Sequence, residues 1–207
     1  TFTLSGDAAR GEAGVIVLAV HDVFHGICQV PDREFLLRVS YLEIWNEIVK
    51  DLLEPSNVPQ VRDDRRRGVS VAPLHEAVVT SPAQVFQLLA RGEANRHVGA
   101  TDWNERSSRS HTCLKFTLES WARTPGAKRP YRVSELCLID LAGSERHTLH
   151  ASGRREGGNI NKSLLSLGKV IYALSDRGAH AHVPFRDSKL TRILQNSLSG
   201  NARVAVV

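Results

Sequence analysis

The sequence contains no methionine and only three cysteines among its 207 residues. Because a newly translated chain begins with methionine, we expect this chain to be a processed product or a fragment. Three cysteines cannot all pair internally, and none has metal-ligand spacing. A reduced, intracellular protein is therefore predicted, with Cys28, Cys113 and Cys137 as small core hydrophobes. The nine histidines show no HExxH-type spacing, which argues against a zinc site.

The chain also lacks any long hydrophobic run. Its longest apolar stretch covers residues 15–20, too short to cross a bilayer, and its first ten residues do not resemble a signal peptide. We find no repeat, low-complexity tract or linker, so we expect a single domain over residues 1–207. The net charge of +5 suggests an acidic partner, which could be nucleic acid, an anionic membrane or an acidic protein surface.

Helical and strand periodicities alternate along the chain, which is typical of an α/β layered fold. Helices are predicted from residue 16 to 27, from Ser81-Pro82 to Gly92, from 160 to 174 and from 190 to 198. Strands are predicted over residues 34–44, 112–118 and 136–139, and a last one begins at Ala202. Residues 136–139 are apolar on both faces, so we expect them in the centre of the sheet. Residues 62–68 and 123–132 resemble exposed loops.

The strand at 136–139 leads into Asp140-Leu-Ala-Gly-Ser-Glu145. A carboxylate at the end of a buried strand can hold Mg²⁺ through water, and a glycine lets a backbone N–H approach a γ-phosphate. A strand-to-loop turn capped by Asp140 and Gly143 explains the same pattern equally well.

A second polar segment, Asn-Glu-Arg-Ser-Ser-Arg-Ser-His, occupies residues 104–111 just before a predicted strand. Hydroxyls beside an arginine suit a loop that closes on Mg²⁺ and phosphate, because the hydroxyl binds metal and the arginine pairs with a carboxylate. Taken alone, such a run is more often a solvated polar loop.

Together these two segments resemble the switch I and switch II motifs of kinesins. Three further segments are similar to kinesin motifs: SYLEIWNE with DLL at 40–53, GNINKSLL at 158–165, and HVPFRDSKLTRIL with SLSGNA at 182–202. The resemblance implies a P-loop NTPase-like kinesin motor fold, a central mixed β-sheet with helices on both faces, incomplete at both ends. It also implies an ATP-driven, microtubule-stimulated ATPase for the parent protein, rather than for this chain alone.

The resemblance also implies roles for individual residues. Asp140 would hold the Mg²⁺ shell through water, Gly143 would sense the γ-phosphate, and Arg109 would pair with Glu145 to close the two switches. Ser108 would bind Mg²⁺, while Ser107 and Asn104 would shape the loop on the phosphate side. The family's phosphate-binding motif would end at Thr1, whose hydroxyl would be a further ligand of Mg²⁺.

Basic residues predict a second surface. Arg186, Lys189 and Arg192 are three apart and line one side of a helix start, and Lys162 and Lys169 lie two turns apart on the preceding helix. By themselves they are more typical of a solvated basic face. In kinesins the corresponding segments lie on the microtubule, so the resemblance makes acidic tubulin the expected partner, rather than a membrane or nucleic acid. It also implies cytoplasmic, cytoskeletal localisation and a homodimer formed through coiled-coil regions outside this chain.

The amino-acid sequence at residues 33–40, 96–100 and 197–200 resembles that of the seventh kinesin class, which includes centromere-associated motors and fungal plus-end-tracking relatives. Three other functions compete with an ATP-driven motor: a non-catalytic microtubule-binding module, a myosin-like P-loop enzyme and a nucleic-acid-binding protein. The intact Asp140, Ser108, Arg109 and Glu145 argue against the first, since a dead site would be free to lose them. The Leu-Ala-Gly-Ser-Glu wording argues against the second, and the lack of an aromatic stacking platform argues against the third.

Overall fold

A computed structural model of the chain describes residues 2–7, 10–64, 68–97, 109–123, 131–144, 153–175, 182–200 and 202–207. Within them lie the four predicted helices and three of the predicted strands, together with shorter elements that the sequence did not predict. The helices are α1 (Phe2–Ser5), α2 (Val15–Cys28), α3 (Pro82–His97), α4 (Gly153–Ser175) and α5 (Lys189–Leu198). The strands are β1 (Gly6–Asp7), β2 (Glu12–Ala13), β3 (Arg33–Trp45), β4 (Ile48–Asp51), β5 (Gln60–Asp64), β6 (Gly68–Ala72), β7 (Ala77–Val79), β8 (His111–Ala122) and β9 (Arg132–Asp140).

The central sheet has the order β4-β3-β8-β9, with β7 also paired to β3, and each of these pairings is antiparallel. Side chains alternate between its two faces. One face packs Val39, Leu114 and Phe116 against α2 and α3. The other packs Leu42, Ile44 and Cys113 against residues of α4 and α5. Helices therefore cover both faces, as predicted.

Strand β9 lies at one end of the described sheet order and pairs there with β8. The prediction of a central position is therefore wrong for the part of the sheet that the structure describes. Leu136 and Leu138 pack with the α2–α3 cluster, whereas Cys137 and Ile139 pack with the α4–α5 cluster. The two-sided apolar pattern thus reflects the helices that pack above and below the strand.

Helix α3 begins at the predicted proline, and the Ser81 hydroxyl accepts the N–H of Gln84 at 3.4 Å. It does not end at Gly92 as predicted, but continues to His97. A Cβ at residue 92 would lie 2.4 Å from Cδ1 of Tyr41 on β3. The glycine therefore allows close packing of helix on sheet, and does not end the helix.

Residues 62–64 were predicted to be loop, but they belong to a β5–β6 hairpin that pairs Arg62 with Ser70. Val69 and Val71 of this hairpin pack with the α4–α5 cluster. Residues 202–207 were predicted to begin a strand, yet they are exposed and adopt no regular structure. A strand forms only where its backbone finds a pairing partner, and these residues pair with none of the described strands.

The prediction that all three cysteines lie in the core is correct for two of them. Cys113 and Cys137 pack in the core as predicted, while Cys28, at the end of α2, is exposed.

Candidate functional site

The two motif segments leave the sheet at the same end. β8 begins at His111 and β9 ends at Asp140, and the antiparallel register pairs Thr112 with Asp140. The residues just before β8 and just after β9 are therefore neighbours, although about thirty positions separate them in sequence. We call this the motif end of the sheet.

Among the predicted nucleotide-site residues, the structure describes Arg109, Asp140 and Gly143, and all three lie at the motif end and are half-buried. Thr1, Asn104, Ser107, Ser108 and Glu145 lie outside the described residues. The register thus brings together the described members of both motifs. No group of three or more His, Cys, Asp or Glu side chains within the described ranges could hold a metal ion. The oxygen donors in the sequence of the two motifs are of the ligand type that Mg²⁺ prefers.

His111 connects three elements at this end. Its side chain is 3% exposed, and its Nδ1 accepts the backbone N–H of Ala142 at 2.9 Å. Its Nε2 lies 2.9 Å from Oγ of Ser163 on α4. Because Nδ1 accepts, the ring hydrogen is on Nε2 and is donated to Ser163. Burial lowers the pKa of His111 to about 4, although the nearby charge of Asp140 raises it. The imidazole is therefore neutral near pH 7.

A buried charge network joins the end of α3 to the start of β8. Arg96 Nη2 donates to Oγ of Ser110 at 2.9 Å, and its guanidinium lies 3.5 Å from Oε1 of Glu43 and 3.6 Å from Oε2 of Glu93. The Tyr41 hydroxyl donates to Glu93, and burial together with that carboxylate raises the pKa of Tyr41. Glu43 is fully buried, and the nearby positive charge of Arg96 offsets part of the cost of burying its carboxylate. The network fixes residues on both sides of segment 97–109.

Sequence reasoning missed this network and the His111 bridge. Glu43 and Arg96 both lie inside the quoted motif wording, but a charged residue in an alternating strand or a helix is normally exposed. The available signal was the face of the strand that carries Glu43, where the apolar Val39 and Tyr41 precede it at alternate positions.

The predicted track-binding residues fall into two sets. Lys162 and Lys169 are exposed on α4. Arg186 lies in a short 3-10 turn before α5, not on the helix itself. Both Arg186 and Arg192 lie close to Asp63 of the β5–β6 hairpin, with nitrogen–oxygen distances of 3.4 and 3.2 Å.

Helix α5 is held at both ends. Ser188 forms a capping box with Thr191, and the Glu47 carboxylate accepts the N–H of Lys189 at 2.9 Å. Near its C-terminal end, Asn196 accepts the N–H of Val69 at 3.0 Å and donates to its carbonyl at 2.9 Å. The hairpin predicted as a loop therefore positions the basic helix and also neutralises part of its charge.

Among the described helices, none combines the length and apolar character needed to span a bilayer.

Comparison with known proteins agrees with these observations. The family model "Kinesin motor domain" matches residues 1–207. The chain is 50% identical to "Kinesin-like protein KIN-7L" of Oryza sativa subsp. japonica, covering 100% of this chain and 33% of that protein. It is 49% identical to "Kinesin-related protein 11" of Dictyostelium discoideum, covering 100% of this chain and 32% of the relative. The chain thus spans about a third of the length of these relatives.

Solved structures give the same result. One described as "Structure of a fast kinesin: Implications for ATPase mechanism and interactions with microtubules" superposes with a TM-score of 0.79 at 42% identity, covering 90% of this chain and 53% of that one. The motor domain of a Kar3-like kinesin from Ashbya gossypii has a TM-score of 0.79 at 33% identity, covering 98% of this chain and 60% of that one. These matches confirm the predicted fold class.

The predicted resemblance to the seventh class is confirmed by relatives whose names carry KIN-7, at about half identity over the whole chain. The matched family is one of microtubule motors. The chain belongs to the kinesin motor domain family.

Proposed function

We propose that this chain is part of an ATP-hydrolysing microtubule motor, in which the motif end of the sheet senses the nucleotide. The observation that carries the proposal is the register of β8 and β9, which pairs Thr112 with Asp140 and so makes neighbours of the described residues of the two switch-like motifs. In phosphoryl transfer the protein mainly positions groups and stabilises charge, so such convergence is the feature that matters.

The oxygen donors of the two motifs suit Mg²⁺, which neutralises charge on the transferred phosphoryl group when bound. Asp140 stands at the end of β9 and would hold the metal's water shell. The hydroxyls of Ser108 and Thr1 would be direct ligands, and Ser107 and Asn104 would shape the loop on the phosphate side of ATP. Gly143 would offer its backbone N–H to the γ-phosphate, which a side chain at that position would obstruct.

Arg109 and Glu145 would close the site around the attacking water. Arg109 lies directly before Ser110, which the buried Arg96 holds. Because Ser110 is held in place, the backbone of Arg109 is also restrained, and its guanidinium is suited to pair with a carboxylate in a single defined geometry. Loss of this pair is expected to reduce hydrolysis more than nucleotide binding, because the pair forms around the reacting groups.

Track binding is assigned to the basic residues of α4 and α5: Lys162, Lys169, Arg186, Lys189 and Arg192. Tubulin presents an acidic surface, and exposed lysines on one helix face complement it. The exposure of Lys162 and Lys169 supports a direct contribution. Arg192, with a side chain 19% exposed beside Asp63, is expected to contribute less.

The first experiment measures microtubule-stimulated ATP hydrolysis by two proteins: this 207-residue chain, and the same chain extended upstream through the expected Gly-Lys. We expect turnover from the extended protein alone, and its loss on Glu145→Ala. Glu135→Ala is the matched control, because Glu135 is a half-exposed carboxylate on β9 whose partner is Lys115. If the extended protein pellets with microtubules but never hydrolyses ATP, a non-catalytic binding module replaces the motor.

A second experiment tests the track surface by co-sedimentation with microtubules at several salt concentrations. Lys162→Ala and Lys169→Ala are expected to weaken binding severalfold and to reduce its salt dependence. Lys115→Ala is the control, since that lysine lies on β8 and pairs with Glu135. Equal effects of all three substitutions would argue against a binding surface on α4.

We extend the proposal to a homodimer formed outside this chain and to location on cytoplasmic microtubules. Some relatives carry the labels chloroplastic or mitochondrial in their names. Imaging of the tagged parent protein with tubulin and organelle markers distinguishes these locations.

A further inference from the structure

The His111 side chain uses both of its polar atoms in contacts with two other elements. Nδ1 accepts from Ala142, which follows β9, and Nε2 donates to Ser163, in the middle of α4. His111, Ala142 and Ser163 are all buried, at 3%, 6% and 3% exposure. Water therefore cannot easily replace either hydrogen bond, and each imposes a fixed geometry.

The two hydrogen bonds of His111, which we call the His111 bridge, lie next to residues of the proposed nucleotide and track-binding sites. Arg109 lies two positions before His111, Gly143 directly follows Ala142, and Lys162 directly precedes Ser163. On α4 the buried side carries Ser163 and Ser166, whereas the exposed side carries Lys162 and Lys169. The imidazole of His111, the last residue of the first motif, thus bonds directly to the second motif and to the helix that bears the proposed track-binding lysines.

We propose that His111 is a positioning residue that holds the Ala142–Gly143 backbone and helix α4 in a common geometry, so that a shift at one is passed to the other. This rests on the proposed function, since it assigns to His111 the coupling of nucleotide response to track response. A neutral imidazole with its hydrogen on Nε2 is the one form that makes both bonds, because a charged ring could not accept from Ala142.

The chain offers a matched pair of variants. Ser163→Ala removes the hydroxyl that accepts from His111. Ser166→Ala removes a hydroxyl of the same helix that is equally buried, but Ser166 donates to the carbonyl of Lys162 within α4. A general effect of losing a buried serine hydroxyl should appear in both variants, whereas an effect on coupling should appear only in the first.

The test uses the parent motor protein and measures the ratio of microtubule-stimulated to basal ATP hydrolysis. We expect Ser163→Ala to lower this ratio about fivefold or more, a typical coupling between sites, and Ser166→Ala to leave it unchanged. His111→Asn should lower it similarly, and adding Ser163→Ala to His111→Asn should have no further effect, because the bond is already lost. Equal ratios for the two serine variants, or additive effects of His111→Asn and Ser163→Ala, would overturn the proposal.

A spectroscopic measurement is independent of activity. With ¹⁵N-labelled histidine, the His111 ring should show a protonated Nε2 and an accepting Nδ1 at pH 7, and this signal should move in Ser163→Ala but not in Ser166→Ala. A ring protonated on Nδ1 would overturn the bridge itself. If the wild-type protein lacks microtubule stimulation while the ring has the expected form, the proposed function fails and the bridge stands.

Discussion

The two ends of the central sheet carry polar contacts of similar geometry in opposite surroundings. At the motif end five of the participating side chains are buried: Glu43, Arg96, Ser110, His111 and Ser163. At the opposite end, where β3 begins and β8 ends, Nε1 of Trp121 donates to Glu34 at 2.8 Å, and Tyr131 donates to Glu119, in exposed positions.

The difference shows where polar groups fix structure. An exposed hydrogen bond can be exchanged for water at little cost, whereas a buried donor or acceptor that loses its partner pays its full desolvation penalty. The motif end is therefore rigidly specified, and the opposite end tolerates change. Four predictions test this contrast, from the largest expected effect to the smallest.

Removing Arg96 should have the largest effect. Arg96→Ala removes the positive charge that lies 3.5 Å from the fully buried Glu43, so we expect the free energy of unfolding to fall by about 3–5 kcal/mol. Urea unfolding at pH 7 measures this. Arg33→Ala is the comparison at the opposite end, where Arg33 bonds to Ser120 in a half-buried position. Similar losses for both arginines would contradict the contrast.

Lowering the pH should weaken the fold through His111. Its pKa is about 4 in the folded chain and near 6.5 when unfolded, so the unfolded state takes up the proton first. This part of the stability is complete above pH 6.5, falls as the pH drops, and is lost below about pH 4. The difference corresponds to about 3 kcal/mol. Urea unfolding as a function of pH should show a shallower slope for His111→Asn between these values, and equal slopes would contradict the prediction.

Replacing Gly92 should destabilise the chain despite the helix preference of alanine. A Cβ there meets the ring of Tyr41, whose hydroxyl belongs to the buried network, so overpacking should cost about 1–3 kcal/mol. Gly168→Ala is the control, because a Cβ at that position of α4 meets nothing within 4 Å. It should stabilise by up to about 1 kcal/mol. If both substitutions stabilise the chain, α3 or the Tyr41 ring can shift to make room for the added Cβ, which would contradict the prediction.

The smallest effect is expected at the opposite end. Glu34→Ala removes the acceptor of the Trp121 indole, but both groups are exposed and return to water. The free energy of unfolding should change by less than about 1 kcal/mol. A loss comparable to that of Arg96→Ala would show that exposure does not distinguish the two ends.

The local spacing of apolar residues was enough to predict much of the secondary structure. β3, β8 and α2 follow from alternating or helical apolar spacing within a few residues, and the motif wording alone placed the chain among kinesins. Patterns of this kind depend on neighbours in sequence, so they can be read without knowing the tertiary contacts.

Errors arose where the decisive contact was distant in sequence. Gly92 was predicted to end α3 because glycine often does so, but the ring that it accommodates belongs to Tyr41 on β3. Residues 62–64 were predicted as loop because they are charged, yet their hairpin is held by Asn196, more than 120 positions later. Apolar residues on both faces of β9 could not show whether strands lie beside it.

The sequence by itself determined the family, the four longest helices and the three longest strands in their order, and which residue types are available to contact nucleotide and microtubule. Only the tertiary structure decided that Arg192 lies against Asp63, that Glu43 lies beside Arg96, and that His111 joins Ala142 to Ser163. The reason is physical. The chemistry of a residue is carried by its side chain, but its charge, availability and partners depend on burial and on groups that folding brings within about 3 Å.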